Sequence, residues 1–128
     1  MDRLKQRLAV ARRAWASLQA LAGEPFSTVV RDASIQRFEY TFEAVWKAAQ
    51  LVLRERYGVE LASPKPVIRA SMENGLLTEE QARTALAMTD HRNLTSHTYN
   101  EAVADAIFGA LGTYRELMRV WLDQLERS

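Results

Sequence analysis

The sequence contains no cysteine, which excludes disulfides, thiolate metal sites and cysteine nucleophiles. Proline and glycine are also scarce, three and five in 128 residues, so they act as punctuation between long periodic segments. No apolar run approaches the roughly 20 residues that a membrane span needs, and the opening Met1-Asp2-Arg3-Leu4-Lys5-Gln6-Arg7 is charged, unlike a targeting signal. Neither sign of charge is in excess. Seventeen Lys and Arg stand against sixteen Asp and Glu, a net charge of +1, which gives no global field for nucleic acid. Any RNA or nucleotide contact must then come from a local patch. No strand alternation, internal repeat or low-complexity segment is visible. The expectation is a cytoplasmic protein without cofactor or metal, forming one domain over residues 1–128.

What remains is helical. Hydrophobic residues make up 48% of the chain and charged ones 26%, a balance that supports a packed core rather than disorder. A first stripe, Leu4, Leu8, Ala11, Trp15, Leu18 and Ala22, has the three-or-four spacing of a helix, with Asp2 as its cap and Gly23-Glu24-Pro25 as its end. A second runs from about Thr28 to Tyr57 through Ile35, Phe38, Phe42, Val45, Trp46, Ala49 and Leu53, and Gly58 closes it. A start near Asp32 is equally compatible with its spacing. Ser63-Pro64 opens a brief helix that stops at Asn74-Gly75. Thr78-Glu79-Glu80-Gln81 is a capping box, in which Thr78 caps and Gln81 reaches back. Thr98-Tyr99-Asn100-Glu101 reads as a second box, opening a last helix with the stripe Val103, Ile107, Ala110, Leu111, Tyr114, Leu117, Met118, Trp121 and Leu125. The fold expected is all-α, an up-and-down antiparallel bundle of about five helices. Its core holds Phe38, Phe42, Trp46, Ile107, Leu111, Tyr114 and Trp121.

Residues suited to chemistry gather in one place. Both histidines lie in Asp90-His91-Arg92-Asn93-Leu94-Thr95-Ser96-His97, with Tyr99 just beyond. Histidine exchanges protons near neutral pH, and arginine holds phosphate through two parallel donors. With Thr98 as cap, the backbone N–H groups of Tyr99 and Asn100 would face an anion at the positive end of a helix. Arg92 and His97 are five positions apart, roughly 140° around a straight helix. They meet only if the helix ends or bends near His97, or if two chains each contribute part of a site. The same residues could equally serve to neutralise a helix C-terminus. Trp15, Trp46 and Trp121 lie on apolar stripes, where packing explains them. Arg31, Arg37, Arg69 and Arg83 are candidates for a basic surface, and Glu39 is a candidate to hold Arg92.

The motif Arg92-Asn-Leu-Thr-Ser-His97, extended by Thr98 and Tyr99, resembles the Arg-x4-His pattern of the HEPN superfamily. The second helix, Arg31-Asp-Ala-Ser-Ile-Gln-Arg-Phe-Glu-Tyr-Thr-Phe-Glu-Ala-Val-Trp-Lys47, is similar to nucleotidyltransferase substrate-binding proteins within that superfamily. The resemblance implies a helical homodimer that partners a minimal nucleotidyltransferase (MNT). It implies one of two roles. One is the toxin of a toxin–antitoxin pair, a metal-independent endoribonuclease with Arg92 and His97 catalytic and Tyr99 open to attachment of AMP. The other is a non-catalytic substrate-binding subunit. Asn93 and Ser96 flank the motif and could orient a phosphate. Cleaving RNA without metal takes a base at the 2′-hydroxyl, an acid at the leaving oxygen and positive charge on the phosphorane. Two histidines and two arginines across a two-fold axis would supply them.

Overall fold

The computed structural model describes residues 2–96 and 100–128. His97, Thr98 and Tyr99 lie outside the described residues. Five helices form among the rest: α1 (Arg3–Gln19), α2 (Thr28–Tyr57), α3 (Pro64–Glu73), α4 (Glu79–Leu94) and α5 (Glu101–Arg127). No described helix is long and apolar enough to cross a membrane.

Local chemistry sets most of the boundaries. Asp2 accepts from the Leu4 amide at 2.9 Å and opens α1. Ser27 accepts from the Val30 amide at 3.0 Å, which places the start of α2 at Thr28 rather than Asp32. Gly58 ends α2 at φ 70°, a left-handed position where a side chain would be strained. The Thr78 box forms in both directions: Gln81 N–H donates to Thr78 Oγ1 at 3.1 Å, and Thr78 N–H to Gln81 Oε1 at 2.9 Å. Ser63 caps α3 through backbone geometry alone, with Pro64 in the first turn.

Two boundaries differ from expectation. Helix α1 stops at Gln19 instead of Ala22, because Leu21 and Ala22 donate to carbonyls only three residues back. That tightening swings Ala22 into solvent, off the stripe. Helix α5 begins at Glu101 with Asn100 as its cap, and Asn100 Oδ1 accepts from the Val103 amide at 3.1 Å. Asparagine caps at least as well as threonine. The box expected at Thr98 falls partly outside the described residues, and within them the Glu101 carboxylate accepts from Arg31. The anion niche expected at the Tyr99 amide lies outside the described residues, and the first turn of α5 starts at Glu101. That turn carries its own carboxylate, Glu101.

Helix α1 runs antiparallel to α2, since Ala14 O accepts from Thr41 Oγ1 and Ser17 O from Arg37 Nη1. It is antiparallel to α5 as well, where Arg12 meets Asp123 and Glu126. Helices α2 and α5 thus start at the same end. The α3–α4 hairpin packs on this trio and is pinned at its open end by Lys65 to Asp90 at 2.6 Å. Phe38, Phe42, Trp46, Ile107, Leu111, Tyr114 and Trp121 are all buried, as the stripes require. Phe38 stacks on Tyr114 with ring centres 5.8 Å apart. Trp15 is half-buried at the rim, where its indole N–H donates to Arg115 O at 2.8 Å.

Candidate functional site: the C-terminal turn of helix α4

Helix α4 ends at Leu94, and the chain then tightens, with Thr95 and Ser96 donating to the carbonyls of Arg92 and Asn93. The last turn carries His91 and Arg92, two groups suited to the negative end of the helix dipole. They point to different neighbours. His91 turns to α5, where its Nδ1 lies 2.7 Å from Tyr114 Oη and the rings meet edge-on. Burial raises the Tyr114 phenol above its ordinary range, and the nearby negative charge of Asp90 adds to the shift. His91 is thereby tied to a neutral phenol in the packed interior.

Arg92 turns to α2. Its Nη1 donates to Thr95 Oγ1 at 3.1 Å and to Ser96 Oγ at 2.9 Å, while Thr95 Oγ1 donates back to the Arg92 carbonyl at 2.7 Å. Two carboxylates stand further off. Glu39 Oε2 is 3.8 Å from Nη1, and Glu43 Oε1 is 4.0 Å from Nη2. These distances exceed those of a charge-assisted hydrogen bond. The guanidinium Nε is buried and has no partner among the described residues. Glu39 thus faces Arg92 as expected, and Glu43 joins it. Ser96 belongs to this cluster, whereas the exposed Asn93 side chain makes no hydrogen bond to it among the described residues. His97 and Tyr99 lie outside the described residues. Helix α4 ends at Leu94, near His97, which meets one of the two conditions for convergence with Arg92.

A second charged cluster joins the starts of α2 and α5, and residue spacing alone does not reveal it. Arg31, expected on a basic surface, is only 1% exposed. It donates to both oxygens of Glu101, at 2.8 and 3.1 Å, to Asp105 at 3.0 Å and to Asp32 at 3.0 Å. This bidentate grip fixes the start of α5 against the start of α2. The spacing of Glu101 and Asp105 puts them on a shared helix face, but it does not identify the arginine that lies opposite. Of the other three arginines, Arg37 is committed to Ser17 O at 2.6 Å, Arg83 pairs with Glu79, and Arg69 is exposed. Among the described residues no three histidine or carboxylate groups are placed to hold a metal ion.

A family model described as nucleotidyltransferase substrate binding protein like matches residues 6–127. The chain belongs to that family. A solved structure from Thermus thermophilus is 58% identical, with a TM-score of 0.86, covering 90% of this chain and 98% of its own. A Shewanella oneidensis HEPN toxin, tri-AMPylated and in complex with its MNT antitoxin, matches with a TM-score of 0.80. It is 18% identical and covers 100% of both chains. A Haemophilus influenzae protein, described as having the fold of a substrate binding domain of a nucleotidyltransferase, is 23% identical with a TM-score of 0.78. That match covers 93% of this chain and 98% of its own. At these lower identities the likeness is one of fold. A search of curated proteins finds no match.

Proposed function

We propose that this chain is the toxin of a pair with an MNT antitoxin, and that two copies together form a metal-independent endoribonuclease through Arg92 and His97. The observation that most supports this reading is the setting of Arg92. It is half-buried at a helix end, oriented by two hydroxyls, and its carboxylate neighbours stand too far off to saturate it. A phosphate can displace such partners, and the planar fork of arginine suits it. The fold shared with a HEPN toxin agrees with that role.

In the reaction, His97 of one copy takes the proton of the ribose 2′-hydroxyl, and that oxygen attacks the adjacent phosphorus. The 5′-oxygen leaves with a proton from the second copy's His97. The products are a 2′,3′-cyclic phosphate and a 5′-hydroxyl. Arg92 carries the charge that builds on the phosphorane oxygens. The antitoxin silences the toxin by transferring AMP from ATP to the Tyr99 phenol oxygen, releasing pyrophosphate.

The purified protein incubated with RNA and a chelator tests this. The expected result is cyclic-phosphate ends, with His97→Ala losing both cleavage and growth inhibition while remaining folded. Intact RNA with wild-type protein, with and without metal, together with harmless overexpression, would remove the ribonuclease reading. That result would favour the second reading, a substrate-binding subunit, which the description of the family itself supports. Arg92 and His97 would then be needed for binding nucleotide or partner.

A further inference from the structure

Away from the helix junction, cations gather at the other end of α2. Arg3 and Arg7 on α1 face Lys47, Gln50 and Arg54 on α2 across a cleft of about 230 Å³, with Glu60 and Leu61 on its far side. The cleft has a fixed wall, because Gln50 Nε2 donates to Leu61 O at 2.6 Å and pins the α2–α3 connection. Four cations therefore face one carboxylate in the lining. Lys47 is 3.6 Å from Glu43, whereas Arg3, Arg7 and Arg54 have no ion-pair partner among the described residues. No ion pair among those residues employs the three charges, and only Arg54 has another use, in the last turn of α2 at its negative end.

One stripe of α2 links the cleft to the candidate site. Glu39, Glu43, Lys47, Gln50 and Arg54 recur every three or four residues, so they form one stripe along α2. Arg92 lies against the first two members, and the cleft is built on the last three. Glu43 stands between them, within reach of Arg92 on one side and Lys47 on the other. From Glu43 to Arg54 the stripe advances about 16 Å. The volume falls below the roughly 300–1,000 Å³ usual for small-molecule sites. A cleft that is small, cationic and open suits phosphate groups more than an enclosed base.

We propose that this cleft takes backbone phosphates of a single RNA strand whose scissile phosphate lies at Arg92. The proposal deepens the ribonuclease reading and rests on it for the register of the strand. Cleft contacts of this kind give affinity without reading sequence.

Fluorescence anisotropy with a short labelled single-stranded RNA tests it, using full-length His97→Ala protein to prevent cleavage. Adding Arg3→Gln and Arg54→Gln, both exposed residues, should weaken binding several-fold at low salt. The salt dependence should also flatten, by about 0.7 in log–log slope for each phosphate that is no longer neutralised. The exposed cation Arg83, changed to Gln in the same background, should alter neither. Affinity and slope in the cleft variant equal to those of the Arg83 control would overturn the proposal, and wild-type cleavage measured alongside would leave the ribonuclease reading standing. Cleft-dependent binding without wild-type cleavage would instead support the RNA site and remove the ribonuclease. If the cleft variant keeps its RNA affinity but no longer copurifies with the nucleotidyltransferase, the cleft is a protein interface and the proposal fails.

Discussion

Arg31 and Arg92 are both arginines on helices near the same chain junction, and both are surrounded by carboxylates, yet they are built for different ends. Arg31 is buried and bonds at 2.8–3.1 Å to Asp32, Glu101 and Asp105. Arg92 keeps 22% of its side chain exposed, meets its carboxylates only at 3.8–4.0 Å, and leaves Nε bare among the described residues. A guanidinium with its donors fully occupied holds structure, and one with donors to spare can take a ligand. The distances, more than the number of acidic neighbours, separate the two.

The largest expected effect breaks the comparison on the side of activity. Arg92→Ala should lower RNA cleavage by at least about 10²-fold, the scale of losing one oxyanion-type donor. Arg92→Lys should not restore it, since an ammonium lacks the planar fork. Stability should change by less than about 1 kcal/mol in either variant, because long, partly exposed ion pairs contribute little. Cleavage assays beside chemical denaturation check both halves. A large loss of stability would make Arg92 a second Arg31.

Arg31→Ala should do the reverse. Removing one member of a buried ion pair usually costs about 3–5 kcal/mol, mainly through the charge left stranded. Here the remaining carboxylates are more than half exposed, so a smaller cost of about 2–4 kcal/mol is expected. Arg31→Met refills the volume and should cost less. Urea denaturation of both variants gives the ranking. Cleavage should fall as well, because Arg31 fixes the start of α5 just beyond Tyr99.

The contrast also marks how far residue order can be read. Helix stripes such as Phe38, Phe42, Trp46 and Ile107, Leu111, Tyr114 were legible because burial follows a 3.6-residue period. Caps at Asp2 and Thr78 were legible because their partners lie within three residues. The partner of Glu101 was not legible, because it depends on the placement of Arg31, 70 positions away. The same dependence hid Arg31 among surface cations and hid the cleft that joins Arg3 to Arg54. At the candidate site, Arg92 was legible through the family resemblance, and Glu39 only as a candidate to hold it. Their separation, which decides their role, is a property of packing alone.

Tyr114→Phe probes the neighbour that keeps His91 out of this chemistry. Loss of its bond to His91 Nδ1 should cost about 0.5–1.5 kcal/mol near neutral pH. The phenol's raised pKa means the folded state keeps its proton where the unfolded chain has lost it. That contribution is complete below about pH 10 and is lost as pH rises through the folded value. Wild-type stability should therefore fall in alkali more steeply than that of Tyr114→Phe, and melting curves at several alkaline pH values show it. Equal slopes would mean the phenol titrates alike in both states.

The smallest effect sharpens the comparison directly. Glu39→Gln with Glu43→Gln keeps the shape of the α2 face but removes the negative charge facing Arg92. If those carboxylates only park the guanidinium, their loss lowers the competition a phosphate meets. RNA affinity should then rise a few-fold at low salt and converge with wild type as salt screens the difference. Stability should move by less than about 1 kcal/mol. If the carboxylates instead aim Arg92, affinity would fall and cleavage with it, and the loose distances would not signify spare capacity. Binding to the His97→Ala form of the double variant, followed across salt concentration, separates these outcomes, because only the parking arrangement predicts a gain that salt removes.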